Sequence, residues 1–274
     1  MGAGMGHNIL GSGMPLQVWN RTSEKAEPLV AGGATPAATP AEAVRGADVI
    51  VTMLGNADDV ASVMREAADG LSAGQIWLQT TTVGAEPLAG LVGIAREHGL
   101  VLLDAPVSGT RKPAEEGQLT IFVAGPPDAR QAVQPVLDAV GGKVVWLEDT
   151  AEGAAASRLK LVVNNWVLSV SAATGETISL AQGLGVDPRA FLEAIAGGPL
   201  DLPYLRAKAN AILTDDFEPN FSVDNAAKDA ALIADAAERA GLRLDLAVAT
   251  RDRLQRTSQR GHGDEDLAAA YKAS

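Results

Sequence analysis

Short apolar runs alternate with alanine-rich, helix-like stretches over roughly the first 150 residues of the chain. The runs, such as ADVIVTML and LTIFVAG, are apolar at consecutive positions, which is typical of strands covered on both faces. This alternation predicts βαβ units and a mostly parallel, doubly wound sheet. The predicted strands are residues 16–19, 48–54, 75–80, 100–104, 119–124 and 143–147, and helices are predicted at 58–68, 86–98 and 128–139.

The pattern changes near residue 150. Residues 152–184 form one proline-free, mostly apolar stretch, which predicts a helix of about 30 residues and about 45 Å. Only helical patterns follow, and Gly197, Gly198 and Pro199 interrupt them. We therefore predict an α/β fold, with a Rossmann-like doubly wound domain (1–150), a long joining helix and an all-α domain (151–274). The later helices are predicted at residues 187–196, 202–213, 222–240 and 244–259.

Composition and charge exclude several classes of protein. The chain has no cysteine, which excludes disulfides, thiolate metal sites and a cysteine nucleophile, and which suits a reducing cytoplasm. Its formal net charge of −12 does not suit a protein that binds a phosphate backbone. No apolar run approaches the roughly 20 residues that span a bilayer, and no signal peptide pattern is present. We predict a cytoplasmic protein that binds neither nucleic acid nor membrane.

The three glycines of the opening MGAGMG could form a phosphate-binding loop or a simple glycine-rich start. A dinucleotide-binding loop must follow a strand, so that backbone N–H groups and a helix N-terminus face the pyrophosphate. No strand precedes Met1, so position alone favours the simpler interpretation. The following residues, however, predict the end of a helix, a turn at Gly13 and a strand that ends in Asn20-Arg21-Thr22.

From this segment onward the chain resembles the β-hydroxyacid dehydrogenase family, which includes 3-hydroxyisobutyrate and tartronate semialdehyde dehydrogenases. That family opens with a strand, then G-x-G-x-M-G-x-x-M, a helix, a glycine turn and a strand that ends in N-R-T. Aligned on Asn20-Arg21-Thr22, Met1 and Gly2 match the M-G, and Met5 matches the later methionine. The other register, with Gly2 and Gly4 as the first two glycines, requires about one deleted helical turn.

The preferred register places the first strand and two fingerprint glycines upstream of Met1. The first strand of a doubly wound sheet is central, so its absence should leave a gap and unpaired ladder groups. Either the start codon is placed too late, or this form binds its cofactor poorly. We expect weak or no NADPH binding, and a micromolar affinity would contradict this.

Cofactor preference follows from the end of the second family strand. A carboxylate there would bind the ribose of NAD, whereas a guanidinium suits the 2′-phosphate of NADP. Because Arg21 stands there without a carboxylate, NADP(H) is favoured over NAD(H), although Arg21 could also be an ordinary surface residue. The cofactor-binding residues that the resemblance implies are Gly2, Asn20, Arg21, Thr22, Met53, Leu54, Thr82 with its neighbour Thr81, and Lys228.

The segment DAPVSGT after a predicted strand resembles the family's D-A-P-V-S-G-G. A turn with a serine hydroxyl and backbone N–H groups suits a substrate carboxylate, although it could be an ordinary loop. The resemblance makes Ser108, Gly109 and Thr110 the substrate-binding residues. Thr110 replaces the second glycine of the motif, narrows the site and leaves the substrate open.

Lys160 and Asn164 are four residues apart and therefore project from one face of the long helix. A lysine in an apolar helix needs a partner or a task, although its stem could also extend to the surface. The segment resembles the family's G-x-x-K-x-x-N-N active-site helix. The resemblance makes Lys160 the general acid/base and Asn164 a catalytic residue that binds substrate.

The resemblance implies a dehydrogenase that interconverts a short β-hydroxyacid or semialdehyde and its redox partner, without a metal. The residues 199–204, with Leu200, Leu202 and Tyr204, would supply an apolar end to the substrate site. Two alternatives stay open, a truncated, non-catalytic dinucleotide-binding homologue and an imine reductase-like enzyme. The helical domain would bind substrate and form a homodimer or homotetramer.

Overall fold

A computed structural model describes all residues from Met1 to Ser274, and residue contacts divide them into two units, Met1–Lys160 and Leu161–Ser274. The first unit alternates strands and helices, as the sequence predicts. Its strands are β1 (Gln17–Val18), β2 (Thr35–Pro36), β3 (Val49–Thr52), β4 (Ile76–Gln79), β5 (Val101–Asp104), β6 (Val107–Ser108), β7 (Leu119–Ala124) and β8 (Gly141–Glu148). Its helices are α1 (Gly2–Gly11), α2 (Glu27–Ala31), α3 (Pro40–Val44), α4 (Ala57–Glu66), α5 (Ala85–Glu97), α6 (Arg111–Glu115) and α7 (Arg130–Val140).

Six of the strands form one mixed sheet. Strands β3, β4 and β5 are parallel, β7 is antiparallel to β5 and β6, and β8 is parallel to β7. Helices cover both of its faces. Ile76 and Leu78 of β4 lie in one core cluster with residues of α1 and α7, whereas Trp77 lies in another with residues of α3, α4 and α5. Burial on both faces explains why these strands are apolar throughout.

The remaining strands, β1 and β2, pair in parallel as a separate two-stranded sheet. Each of β1 and β3 has a pairing partner on one side only. Between them lies a cavity of about 700 Å³, which we call the β1–β3 slot and which residues 15–20 and 48–54 line along its two sides. The gap that the preferred register predicts therefore lies between β1 and β3.

The structure corrects the sequence prediction at β2, which was not predicted, and at Ser108, and it decides the register of the opening glycines. The segment expected as a turn at Ser108 forms the short strand β6, which pairs with Ile121 and Thr120 of β7. A two-residue strand has too little periodicity to be recognised from sequence. The opening glycines are not a loop, because Gly2, Gly4 and Gly6 all belong to α1. This excludes the register in which Gly2 and Gly4 form the phosphate loop.

The long helix α8 spans Ala155–Gly183, 29 residues or about 44 Å, as predicted. The second unit is otherwise helical and ends in a short 3₁₀ segment, Leu267–Ala273. A buried ion pair fixes this end of the chain, since Lys208 Nζ lies 2.6 Å from Asp266 Oδ1. No helix in the chain is both long and apolar enough to span a membrane. The later helices are α9 (Pro188–Ala194), α10 (Pro203–Thr214), α11 (Val223–Arg239) and α12 (Asp245–Thr257).

Candidate functional site

A buried hydrogen-bond network joins the carboxyl ends of β3 and β4. The Gln79 side chain is fully buried, accepts a bond from the Thr81 N–H at 2.8 Å and donates to the Thr81 carbonyl at 2.9 Å. The Thr81 hydroxyl accepts a bond from the Leu54 N–H at 2.9 Å, and Trp77 donates to the Thr52 hydroxyl. The network fixes both strand-end loops, which is where doubly wound sheets bind ligands.

Four of the predicted cofactor residues meet at this edge. Met53 and Leu54 follow β3, and the half-buried Thr82 follows the network residue Thr81. Gly2 begins α1 close by, because a Cβ atom at Gly2 would lie 3.7 Å from the Met53 side chain. The first turn of α1 carries no acidic residue and no side-chain cap, so its N–H groups suit an anion.

Asn20, Arg21 and Thr22 follow β1. The Asn20 side chain donates to the Thr22 carbonyl at 2.7 Å and thereby shapes the turn. The Arg21 side chain is 84% exposed, and its nearest charged partner is Asp59 of α4, at 3.6 Å. An exposed pair of this kind is weak, so a phosphate could displace the carboxylate. Since Asp59 follows β3, this contact also places the carboxyl ends of β1 and β3 at the same edge.

The predicted substrate segment leaves β6 and turns sharply. Ser108 is half-buried, and Gly109 has a φ of +142°, with the Leu119 side chain 2.7 Å from where a Cβ atom would lie. A side chain at this position is therefore excluded by both backbone and space. Thr110 precedes α6, and its carbonyl accepts from the Ala114 N–H. The turn leaves the Ser108 and Thr110 hydroxyls on either side of Gly109.

A buried carboxylate anchors the first turn of α8. Asp104, at the end of β5, accepts hydrogen bonds from the Ser157 N–H at 2.8 Å and the Ser157 hydroxyl at 2.7 Å. Burial raises the pKa of Asp104 to about 6, against the opposing effect of both Ser157 bonds and of Arg158. The carboxylate takes up one of the N–H groups that a helix start leaves unpaired. It fixes the helix turn from which Lys160 projects, three residues later.

Lys160 and Asn164 are both buried on α8, with exposed fractions of 7% and 2%. This excludes the alternative of a lysine that extends to solvent beside a surface asparagine. The Asn164 amide donates to Asp229 Oδ2 at 2.7 Å, and Lys228 Nζ lies 2.7 Å from Asp229 Oδ1. Asp229, itself buried, therefore orients the Asn164 amide and pairs with Lys228 at the same time.

The residues predicted to form the apolar end of the substrate site differ in exposure: Leu200 faces solvent, whereas Tyr204 is largely buried. Leu200 is 69% exposed in a turn before α10, and Tyr204 lies within α10. The Ser171 hydroxyl of α8 donates to the Tyr204 oxygen at 3.2 Å, and burial raises the pKa of Tyr204 to about 12. Tyr204 is therefore a neutral side chain that packs against α8.

Sequence reasoning missed three polar residues of the site: Gln79, Asp104 and Asp229. Asp104 begins the DAPVSGT segment and Asp229 follows Lys228, but their partners are 53 and 65 residues away in the chain. A buried carboxylate gives no local signal of its partner. Gln79 stands at the polar end of a short apolar run, before three threonines, so the sequence gives no signal that its side chain is buried.

Two family models together match nearly the whole chain. Residues 1–147 match the NAD binding domain of 6-phosphogluconate dehydrogenase, and residues 154–274 match the NAD-binding domain of NADP-dependent 3-hydroxyisobutyrate dehydrogenase. The chain belongs to the β-hydroxyacid dehydrogenase family. It is accordingly an NAD(P)-dependent oxidoreductase, and the α/β fold with a Rossmann-like part and a helical part, predicted from the sequence pattern, is confirmed.

Individual relatives agree with this assignment. The chain is 31% identical to glyoxylate/succinic semialdehyde reductase 2 of Arabidopsis thaliana, over 100% of its own length and 76% of that protein. It is 31% identical to L-threonate dehydrogenase of Cupriavidus necator, over 99% of its own length and 92% of that protein. The structure of 3-hydroxyisobutyrate dehydrogenase from Salmonella typhimurium superposes with a TM-score of 0.90 at 26% identity. The superposition covers 100% of this chain and 96% of that structure.

The residues present fit a nicotinamide dinucleotide in part. Unpaired N–H groups at the start of α1 and the exposed guanidinium of Arg21 suit phosphate groups, and the rigid loops at Leu54 and Thr81 provide walls at the same edge. The strand and glycine turn that normally lead into this helix are not among residues 1–274, and the β1–β3 slot lies in their place. The groups for phosphate binding are thus present without the loop that usually surrounds the pyrophosphate.

Proposed function

We propose that the protein interconverts a short hydroxyacid and the corresponding semialdehyde or 2-oxoacid, with NADP(H) preferred over NAD(H). The observation that carries the proposal is the burial of Lys160 one helical turn before Asn164, which Asp229 orients. Glyoxylate and succinic semialdehyde, named for the Arabidopsis relative, are the substrates to test first.

The roles follow from the chemistry of each side chain. When bound, a reduced nicotinamide would supply the hydride that reduces the substrate carbonyl. Lys160 donates a proton to the oxygen as it becomes an alkoxide, and takes the proton back in the reverse direction. The Asn164 amide, oriented by Asp229, binds the same oxygen. Ser108, Gly109 and Thr110 bind the substrate carboxylate through hydroxyl and N–H groups.

Cofactor binding involves the strand ends. Arg21 would pair with the 2′-phosphate, and Gly2 would bind the pyrophosphate. The adenosine and nicotinamide sides would be lined by Asn20, Thr22, Met53, Leu54 and Thr82, and Lys228 would also contact the cofactor. Because the β1–β3 slot interrupts the sheet beside Gly2, we expect residues 1–274 to bind NADPH weakly. A micromolar affinity would contradict this expectation.

The test is NADPH oxidation with glyoxylate or succinic semialdehyde, by residues 1–274 and by a form extended at its N-terminus with a strand and glycine turn. We expect activity chiefly in the extended form. In that form Lys160→Ala should lose about 10²-fold or more in kcat with unchanged cofactor affinity. The exposed Lys143→Ala is the matched control and should keep full activity.

Full activity of Lys160→Ala, or no NADPH oxidation with either substrate in either form of the protein, would refute the proposal. The second candidate is a non-catalytic dinucleotide-binding homologue, which the interrupted sheet favours. One relative, human cytokine-like nuclear factor N-PAC, bears a name that states no enzymatic activity; it is 28% identical, and the chain covers 49% of it. Cofactor binding by the extended form without turnover of any tested substrate would support this second candidate. The buried Lys160 disfavours an imine reductase, in which this position usually carries another residue.

A further inference from the structure

One face of the long helix α8 is apolar and exposed to solvent. Its large side chains, Val162, Trp166, Leu180 and Leu184, are between 62% and 70% exposed. Leu184 follows the helix and continues its hydrogen bonding, since its N–H donates to the Leu180 carbonyl at 2.9 Å. At 3.6 residues per turn, these four and the exposed Ala173 fall within about 40° of the helix circumference. We call this line, about 33 Å long, the α8 stripe; a continuous apolar surface of this kind on a soluble protein marks an interaction site.

The spacing along this face matches that of a seam between two helices. The positions follow one another in alternating steps of four and three residues: Trp166, Val170, Ala173, Thr177, Leu180 and Leu184. The steps average 3.5 residues, which is the period at which two supercoiled helices keep their apolar side chains in contact. None of these positions carries a charge. The face therefore fits a second helix that has the same apolar period.

The α8 stripe is also nearly self-complementary. Val162 and Leu184 lie eleven residues on either side of Ala173, and Trp166 and Leu180 lie seven residues on either side of it. If two copies of α8 run antiparallel and cross at Ala173, the bulky Trp166 of each copy meets the smaller Leu180 of the other. Val162 then meets Leu184, and the small Ala173 lets the two backbones approach at the centre. A two-fold interface requires such a self-complementary surface.

We propose that a second copy of this chain covers the α8 stripe, with the two α8 helices antiparallel about a two-fold axis at Ala173. At roughly 100 Å² each, the four large side chains supply about half of the ~800 Å² that each partner buries in a standard interface. The half-buried Val170 and Thr177 beside them add to this area. The sequence predicts a homodimer or a homotetramer, and a homotetramer would contain this contact twice. The proposal is independent of the proposed oxidoreductase activity, because it involves neither substrate nor cofactor.

The first experiment measures the mass of the purified chain by sedimentation equilibrium. Trp166→Lys and Leu180→Glu, each alone, should raise the dissociation constant of the pair about 30-fold or more, because each buries a charge opposite an apolar side chain. The two substitutions together in one chain should restore association, since each new lysine then lies opposite the new glutamate of the other copy. Leu242→Glu is the matched control, because Leu242 is 58% exposed outside the stripe, and it should leave the mass unchanged.

A second experiment tests the position of the axis. The chain has no cysteine, so Ala173→Cys introduces a single thiol. Because the axis brings this residue close to its own copy, mild oxidation should yield a disulfide-linked dimer. Lys143→Cys, at an exposed position on β8, is the control and should stay unlinked.

Three outcomes would overturn the proposal. A wild-type chain that stays monomeric at about 50 µM would mean that no second copy covers the stripe, since specific dimers dissociate well below that concentration. Dissociation by Leu242→Glu, but not by Trp166→Lys, would place the interface at the turn between α11 and α12. Association that neither the double variant nor Ala173→Cys recovers in the expected form would exclude the antiparallel pairing at Ala173.

Discussion

The polar residues on α8 and those at the end of β1 differ in how firmly they are held. Asn164 is buried and bonded to Asp229, and the start of α8 is bonded to the buried Asp104. Arg21, in contrast, is 84% exposed with a single partner at 3.6 Å. Groups that take part in chemistry need fixed geometry before the ligand arrives, whereas a residue that recognises a phosphate can reorganise when the ligand binds.

The largest expected effect is the pH dependence of stability that the buried Asp104 confers. Its folded-state pKa of about 6 lies above the reference value of 3.8, so the folded state binds this proton more tightly than the unfolded state. Its contribution to stability is therefore fully present below pH 4 and is lost as pH rises to about 6. The loss amounts to about 3 kcal/mol.

Urea denaturation between pH 4 and pH 7 measures this effect against Asp104→Asn, which does not titrate. Relative to that variant, the wild-type protein should lose about 3 kcal/mol of unfolding free energy over this range. The exposed Asp128→Asn provides the control and should follow the wild-type curve. Parallel curves for wild type and Asp104→Asn would show that this carboxyl titrates normally in the folded protein.

A smaller effect is expected at Asp229. Its removal in Asp229→Ala leaves the buried Asn164 amide without its acceptor and should lower the free energy of unfolding by about 2 kcal/mol. Asp229→Asn keeps an oxygen that can accept from Asn164, so it should lose less than half as much. Equal losses in the two variants would assign the effect to the charge that pairs with Lys228. The contrast between the hydrogen-bonded Asn164 and the exposed Arg21 would then be smaller than the structure indicates.

The smallest effects on folding are expected at the exposed pair. Arg21→Ala should change the free energy of unfolding by less than about 0.5 kcal/mol but raise the Kd for NADPH about tenfold, with little effect on NADH. Asp59→Asn should lower the Kd for NADPH by about twofold, because it removes a competing carboxylate. Fluorescence titration of the N-terminally extended form with both cofactors measures these changes. Equal effects of Arg21→Ala on the two cofactors would exclude a contact with the 2′-phosphate.

Elements with a strong hydrophobic period were predictable from sequence. The apolar runs gave β3, β4, β5, β7 and β8 to within a few residues, and the proline-free stretch gave α8. Strands β2 and β6 were missed because each is two residues long and lies outside any apolar run, so no hydrophobic period marks it. They form only through pairing with strands that are distant in sequence. The gap in the sheet was foreseeable only through family resemblance, since nothing in the residues 17–18 or 49–52 says which strands are neighbours.

The candidate site also combines features that are local in sequence with features that depend on tertiary contacts. Lys160 and Asn164 could be placed on one helix face because four-residue spacing is local information, whereas their proposed roles rest on the family resemblance. That Asp229 orients Asn164, and that Asp104 anchors α8, depends on contacts between segments far apart in sequence. The apolar surroundings of Lys160 predicted a partner or a task, but a sequence does not reveal how deeply a side chain is buried.

The glycines of α1 limit which side chains this helix can carry. A Cβ atom at Gly4 would lie 2.9 Å from the Ala114 backbone, and one at Gly6 would lie 2.8 Å from the Leu29 side chain. Of the two, Gly4 is the stricter, because its neighbour is backbone, whereas the end of the Leu29 side chain can shift. A larger residue at Gly4 would push α1 away from α6 and move the start of the helix, with Gly2, relative to Met53.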